Sequence, residues 1–140
     1  YDLVGKTLGP SPSMEITQAR IDQFAEATGD HQWIHVDPDM AAKGPFGATI
    51  AHGYLTMSLA AKFMPEIIEV KGISMGVNYG TEKTRFPSPV RVGSKLSATG
   101  TVLSVEEAKG GIKMVFQIVI QAEGAEKPAC IVESISVYFP

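Results

Sequence analysis

Cysteine is nearly absent: Cys130 is the only one in 140 residues. A lone thiol closes no internal disulfide, and no Cys/His spacing of a zinc site occurs. A reducing, cytoplasmic setting is therefore expected. Positive charge is not in excess either, since 12 Lys and Arg stand against 15 Asp and Glu, a formal charge of −3. That leaves no electrostatic footprint for nucleic acid or an anionic membrane, so an anionic ligand would have to meet a local basic patch. No apolar run approaches the ~20 residues of a membrane span. No secretory leader is read, although the chain opens on Tyr1 rather than Met and targeting is not argued from that end. Walker sequences, glycine-rich phosphate loops and dinucleotide fingerprints are missing as well.

What is present is a globular composition, 44% hydrophobic and 19% charged, at a length that suits one domain over residues 1–140. The pattern changes once, near residue 71, from helix and loop to strands. In "SMEITQARIDQFAEATGD" Thr17 is placed as an N-cap, although Arg20 is not the Glu or Gln of a full capping box. Ile21, Phe24, Ala25 and Thr28 make an amphipathic stripe, and Gly29 is the stop. Asp37 followed by Pro38 opens a short helix over residues 38–42. "IAHGYLTMSLAAKFMPE", residues 50–66, is apolar or small on nearly every side, which predicts a buried helix ended by Pro65. Beyond it, "GISMGVNYGTEKTRF", "SKLSATGTVLSVEE", "GIKMVFQIVIQAEG" and "ACIVESISVYF" each read as a strand. In the last, Ile131, Ile135 and Val137 share one face, with Glu133 the exception, and Ser134 and Ser136 share the other. The layer argument gives an α+β domain, a curved antiparallel sheet wrapped around one long central helix, with edge strands that a second subunit could cover.

Only three histidines occur, and two of them fall in one loop, "ATGDHQWIHVDPDMA". Asp30 and His35 lie just past the first helix, where irregular chain can turn a carboxylate and an imidazole towards one point. A histidine moves protons near neutral pH, and a carboxylate can orient a water. Taken alone, the ordinary reading is that Asp30 caps a turn and His35 is a hydrogen-bonded loop residue. His31 has no obvious partner, Trp33 and Ile34 read as apolar anchors, and Asp37 is accounted for as a cap. His52 and Gly53 stand where the buried helix should begin. There, unpaired N–H groups and a glycine allow a substrate oxygen to approach the backbone, although for Gly53 taken alone close helix–sheet packing is the ordinary reading. Cys130 reads as a core residue with no base beside it.

These residues resemble the MaoC-like family of (R)-specific enoyl-CoA hydratases, with the hot-dog fold, and within it the NodN-like branch. The family signature runs from an aromatic residue through Gly-Asp, Asn-Pro, an aliphatic residue and His to a small residue. Here it reads Phe24, Gly29, Asp30, Ile34, His35 and Ala41. Gln32-Trp33 replaces the common Asn-Pro, a mark shared with the NodN-like branch. "TIAHGYLTMSL" and "RFPSPVRVGSKL" match two further family segments. The resemblance implies that Asp30 and His35 hold one water against a trans-2-enoyl thioester, with Gly53 N–H as the oxyanion hole. It implies an (R)-3-hydroxyacyl-CoA product, a reversible reaction, and no metal or redox cofactor, because the coenzyme A thioester is itself the activated substrate. Gln32, Asn78 and Tyr79 are the implied substrate-binding residues. An acyl tunnel beside the helix is implied, with Tyr54, Leu55 and Met57 as equally good core residues. Lys83 and Arg85 are either phosphate contacts or a solvated sheet edge. Coenzyme A or acyl carrier protein would be the acyl carrier, and a homodimer or larger homo-oligomer the assembly.

Two other functions are open at this point. A hot-dog thioesterase usually relies on a carboxylate on the central helix, and no Asp or Glu lies between Ala51 and Pro65. A non-catalytic acyl-binding domain would have no use for Asp30, His35 and Gly53 together.

Overall fold

The computed structural model describes residues 2–140. The N-terminal half carries two short strands, β1 (Thr7–Leu8) and β2 (Met14–Glu15). Five helices follow: α1 (Gln18–Thr28), α2 (Trp33–Val36), α3 (Pro38–Ala42), α4 (Gly53–Ser58) and α5 (Ala60–Ile67). Four long strands complete the chain, β3 (Met75–Arg85), β4 (Lys95–Ala108), β5 (Gly111–Ala122) and β6 (Cys130–Phe139). They form one antiparallel sheet in the order β1-β4-β5-β6-β3, with β2 also on β4. The strand predictions therefore hold to within a few residues. β1 and β2, at two residues each, are too short to show a period.

The sheet curls around α4 and α5. Leu55, Leu59, Ala60 and Phe63 from the helices meet Leu96, Val102, Phe116, Ile118, Ile120 and Val132 from the sheet in one core. Gly100 on β4 leaves room for the fully buried Phe116, whose ring would lie 2.2 Å from a Cβ at position 100. The central helix begins at Gly53, where its start was expected, and Ile50 and Ala51 at the head of the apolar stretch are held in place outside it: Ile50 bridges Arg91, and Ala51 N–H donates to the Val90 carbonyl. Pro65 does not end it. The proline sits inside α5, which closes two residues later with Ile68 N–H on the Met64 carbonyl, so the missing donor costs a bond only in the last turn.

Nor is the helix buried all round. Tyr54, Ser58, Ala61 and Pro65 form an exposed stripe at i, i+4, i+7 and i+11 in the single chain. On β6 the side turned to the helices is the one bearing Val132, Ser134, Ser136 and Tyr138, which line a cavity of about 660 Å³ beside Met57 and Met64. Ile135 and Val137 are buried on the other face, beside their cross-strand neighbours Val115, Lys113 and Val77. Among the described residues, no helix is long and apolar enough to cross a membrane.

Candidate active site

Local signals build the loop that carries the two histidines. Thr17 caps α1 by accepting from Arg20 N–H at 3.1 Å. Gly29 takes the left-handed conformation, φ 82°, with its N–H on the Ala25 carbonyl, a backbone state glycine adopts without a Cβ penalty. Asp37 caps α3 through Met40 N–H at 3.1 Å, with Pro38 behind it. Between these two caps the chain makes the single turn α2, which carries no sequence signal of its own. Trp33 pins that turn by packing on Gly44, where a Cβ would lie 3.0 Å from the indole.

His35, in α2, is buried. Its Nδ1 lies 2.7 Å from the Ile50 carbonyl, and because a carbonyl only accepts, Nδ1 carries the proton. Neutral His35 therefore keeps its lone pair on Nε2. Burial pulls its pKa below the ordinary histidine value, and neighbouring His52 pulls the same way; the Ile50 hydrogen bond and Asp30 partly oppose them. A neutral imidazole with a free Nε2 is a base at neutral pH.

Asp30 is exposed at the mouth of the loop, and its Oδ1 accepts from Gln32 N–H at 3.3 Å. Each of Asp30, His35 and His52 offers a ligand atom within 4.8 Å of the other two. One water can bridge such a gap, since it needs only two contacts of about 2.8 Å. The same three donors invite a test as a metal site. The two imidazoles are stacked, centroids 3.9 Å apart at 22°, and each lends one nitrogen to a backbone carbonyl. Their remaining lone pairs therefore lie in nearly parallel planes instead of converging on one ion.

Gly53 is the first residue of α4, where its N–H has no acceptor within the helix. Next to it, the Phe86 ring lies 3.4 Å from where a Cβ would be. Gln32 enters through its backbone N–H, and its side chain does not cap α2. Asn78 lines the cavity beside α5. Tyr79 sits at a register shift in β3 and is 73% exposed, so it does not share that wall. Lys83 and Arg85 are exposed on β3. Leu55 is core, Met57 lines the cavity and Tyr54 points outward. His31 meets exposed Glu26 at 3.5 Å. Cys130 is fully buried, and burial pushes its thiol up to about 11, leaving it inert near neutral pH.

Three residues of the site escaped the sequence reading of roles. Gln18 donates from Nε2 to the His35 carbonyl at 2.8 Å and accepts from Thr49 Oγ1, tying α1, α2 and the segment before α4 together. His52 donates from Nε2 to the Asp30 carbonyl at 3.0 Å. No spacing announces these contacts, which join residues 17 to 31 positions apart.

An antiparallel sheet curled around a central helix is the hot-dog arrangement, and Asp30 and His35 come together near the start of that helix. The chain belongs to the MaoC-like dehydratase family: residues 2–123 match the MaoC-like domain. It is 47% identical over 135 residues to 3-hydroxyacyl-thioester dehydratase Z of Mycobacterium tuberculosis, covering 96% of this chain and 89% of that protein. It is 40% identical over 141 residues to nodulation protein N of Rhizobium leguminosarum bv. viciae, covering 96% and 85%. Among solved structures it is similar to an (R)-hydratase from A. caviae involved in PHA biosynthesis. That match has a TM-score of 0.79 and 26% identity, and covers 98% of this chain and 96% of that one.

Proposed function

We propose that this protein adds water reversibly to a trans-2-enoyl thioester, giving an (R)-3-hydroxyacyl thioester, with coenzyme A or an acyl carrier protein as the carrier. The observation that carries the reading is the pairing of the Asp30 carboxylate with the free Nε2 of a buried, neutral His35 at the start of α4. A water between them is oriented by Asp30 and loses a proton to His35 as its oxygen bonds to the β-carbon. Electron density shifts onto the thioester oxygen, which Gly53 N–H stabilises. The same pair returns a proton to the α-carbon, so the net change is one added water. The chemistry asks nothing of a metal or redox cofactor, because the thioester already polarises the double bond.

A thioesterase would instead direct water to the thioester carbon. The absence of any carboxylate from residues 53–64 argues against it. Incubation with crotonyl-CoA separates the two activities. The enoyl absorbance should fall with no free thiol released, and the product should be the (R)-alcohol; thiol release would establish a thioesterase in its place.

The acyl chain is assigned to the cavity of about 660 Å³ that begins one helical turn past Gly53, between α5 and the wall of Asn78, Ser134 and Ser136. Met64 and Tyr138 both line it and touch each other, the Tyr138 hydroxyl donating to Met64 Sδ at 3.7 Å. Met64→Trp should fill the far end. Turnover of long-chain enoyl thioesters is expected to fall about tenfold or more while crotonyl-CoA is spared, and equal losses on both would remove the cavity from the reading.

Self-association is part of the same proposal. β3 is a free edge of 11 residues, with Met75 52% and Tyr79 73% exposed. An open edge of this length is normally covered, and the exposed helix stripe Tyr54, Ser58, Ala61 and Pro65 adds apolar and small surface for a second copy. Sedimentation velocity should give a dimer or a multiple of it, with Tyr79→Asp shifted towards monomer. A wild-type monomer at micromolar concentration would reject the pairing.

A further inference from the structure

His52 takes no part in the proton transfers just described, yet it is 3% exposed and touches every component of the site. Its Nε2–H holds the Asp30 carbonyl at 3.0 Å. One ring face stacks on His35 at 3.9 Å, and the ring also meets Phe24 of α1 at 4.8 Å, tilted by 53°. In sequence it is the N-cap of α4 and the residue before Gly53. The remaining nitrogen, Nδ1, is buried with no partner, and the side chain makes no cap hydrogen bond.

Helix capping does not explain an imidazole here. Asn or Ser would satisfy the first turn and leave no dry lone pair, whereas an orphaned buried acceptor lowers stability. What those shorter side chains lack is reach to the Asp30 backbone and a flat surface for His35. We infer that His52 is a positioning residue: by clamping the Asp30 main chain and backing the His35 ring, it fixes the acid–base pair relative to the Gly53 N–H. The inference rests on the reading of Asp30, His35 and Gly53 as the reacting site.

The electrostatics point the same way. The charged or titratable groups that act on His35 are Asp30, from its own loop, and His52, the residue that precedes α4. The other groups packed there are uncharged, the Phe24 ring from α1 and the Ile50 carbonyl. His52 is one of the groups that hold the His35 pKa down, so the stack helps to keep the base neutral. Removing His52 should let His35 protonate at higher pH, which moves the acid limb of kcat/KM upward.

Two variants of the full chain test this. His52→Phe keeps a ring but loses the donor, while His52→Gln keeps a donor and loses the ring. With crotonyl-CoA, His52→Phe should lose about ten- to a hundredfold in kcat through misplacement of the pair, with KM little changed. His52→Gln should recover part of that loss. In both, the acid limb, and the His35 titration followed by imidazole 1H–15N spectra, should shift to higher pH. Should His52→Phe fail to fold, His52→Gln carries the test. Variants with wild-type kcat and an unmoved His35 titration would overturn the inference alone, leaving His52 a packing residue. An inactive wild type would overturn it together with the reading it rests on.

Discussion

His35→Gln is expected to lower turnover of an enoyl thioester by about 10²-fold or more without unfolding the protein. Glutamine can still donate to the Ile50 carbonyl, the 2.7 Å bond that anchors the ring, so the turn α2 should keep its place. What it lacks is a lone pair of useful basicity where His35 presents Nε2. Asp30→Asn should cost a similar factor by a different route. The amide keeps an oxygen to accept the Gln32 N–H, but the negative charge that orients the water and supports a transient imidazolium is gone. Because the two groups act on one water, the double variant should be little worse than either single one. Steady-state kinetics beside thermal melts would check both points. Full activity in either single variant, with an unchanged melt, would remove the pair from the mechanism.

Gly53→Pro should be the second large effect, and it isolates the oxyanion donor from the fold. Gly53 is the first residue of α4, the helix position where proline is best tolerated because its N–H has no helical acceptor. His52 before it already has φ −57° and ψ 139°, the extended state that a residue preceding proline prefers. Phe86 lies at ordinary contact distance from the new Cβ, 3.4 Å. The substitution therefore deletes one backbone hydrogen and little else. A loss of about 10²–10³ in kcat is expected, the usual effect of removing an oxyanion-hole donor. Gly53→Ala, which keeps the N–H, should lose far less. Equal losses in the two variants would mean that shape, and not the donor, matters at this position.

The parts of this molecule that could be read from its sequence are those governed by near neighbours. Thr17, Gly29 and Asp37-Pro38 announce α1 and α3 because capping acts within three or four residues. The long strands show themselves through their β-branched content, and Asp30, His35 and Gly53 through a spacing shared with a family. Features that depend on distant chain were hidden. α2 is one turn held by Gln18 and the Ile50 carbonyl, and β1 and β2 exist only because β4 offers them an edge. The helix-facing side of β6 was hard to recognise because it lines a cavity, which allows serines where a dense core would demand aliphatic residues. Pro65 misleads for a similar reason. Its lost hydrogen bond falls in the last turn of α5, where packing of Phe63 and Met64 carries the helix past it.

The most direct test of the account is a high-resolution crystal structure of the protein without ligand, read at one place. A single water should lie about 2.8 Å from both the Asp30 carboxylate and His35 Nε2, with His35 Nδ1 on the Ile50 carbonyl. An Asp30 carboxylate turned away from the ring, or a His35 whose Nε2 is spent on a protein acceptor, would contradict it.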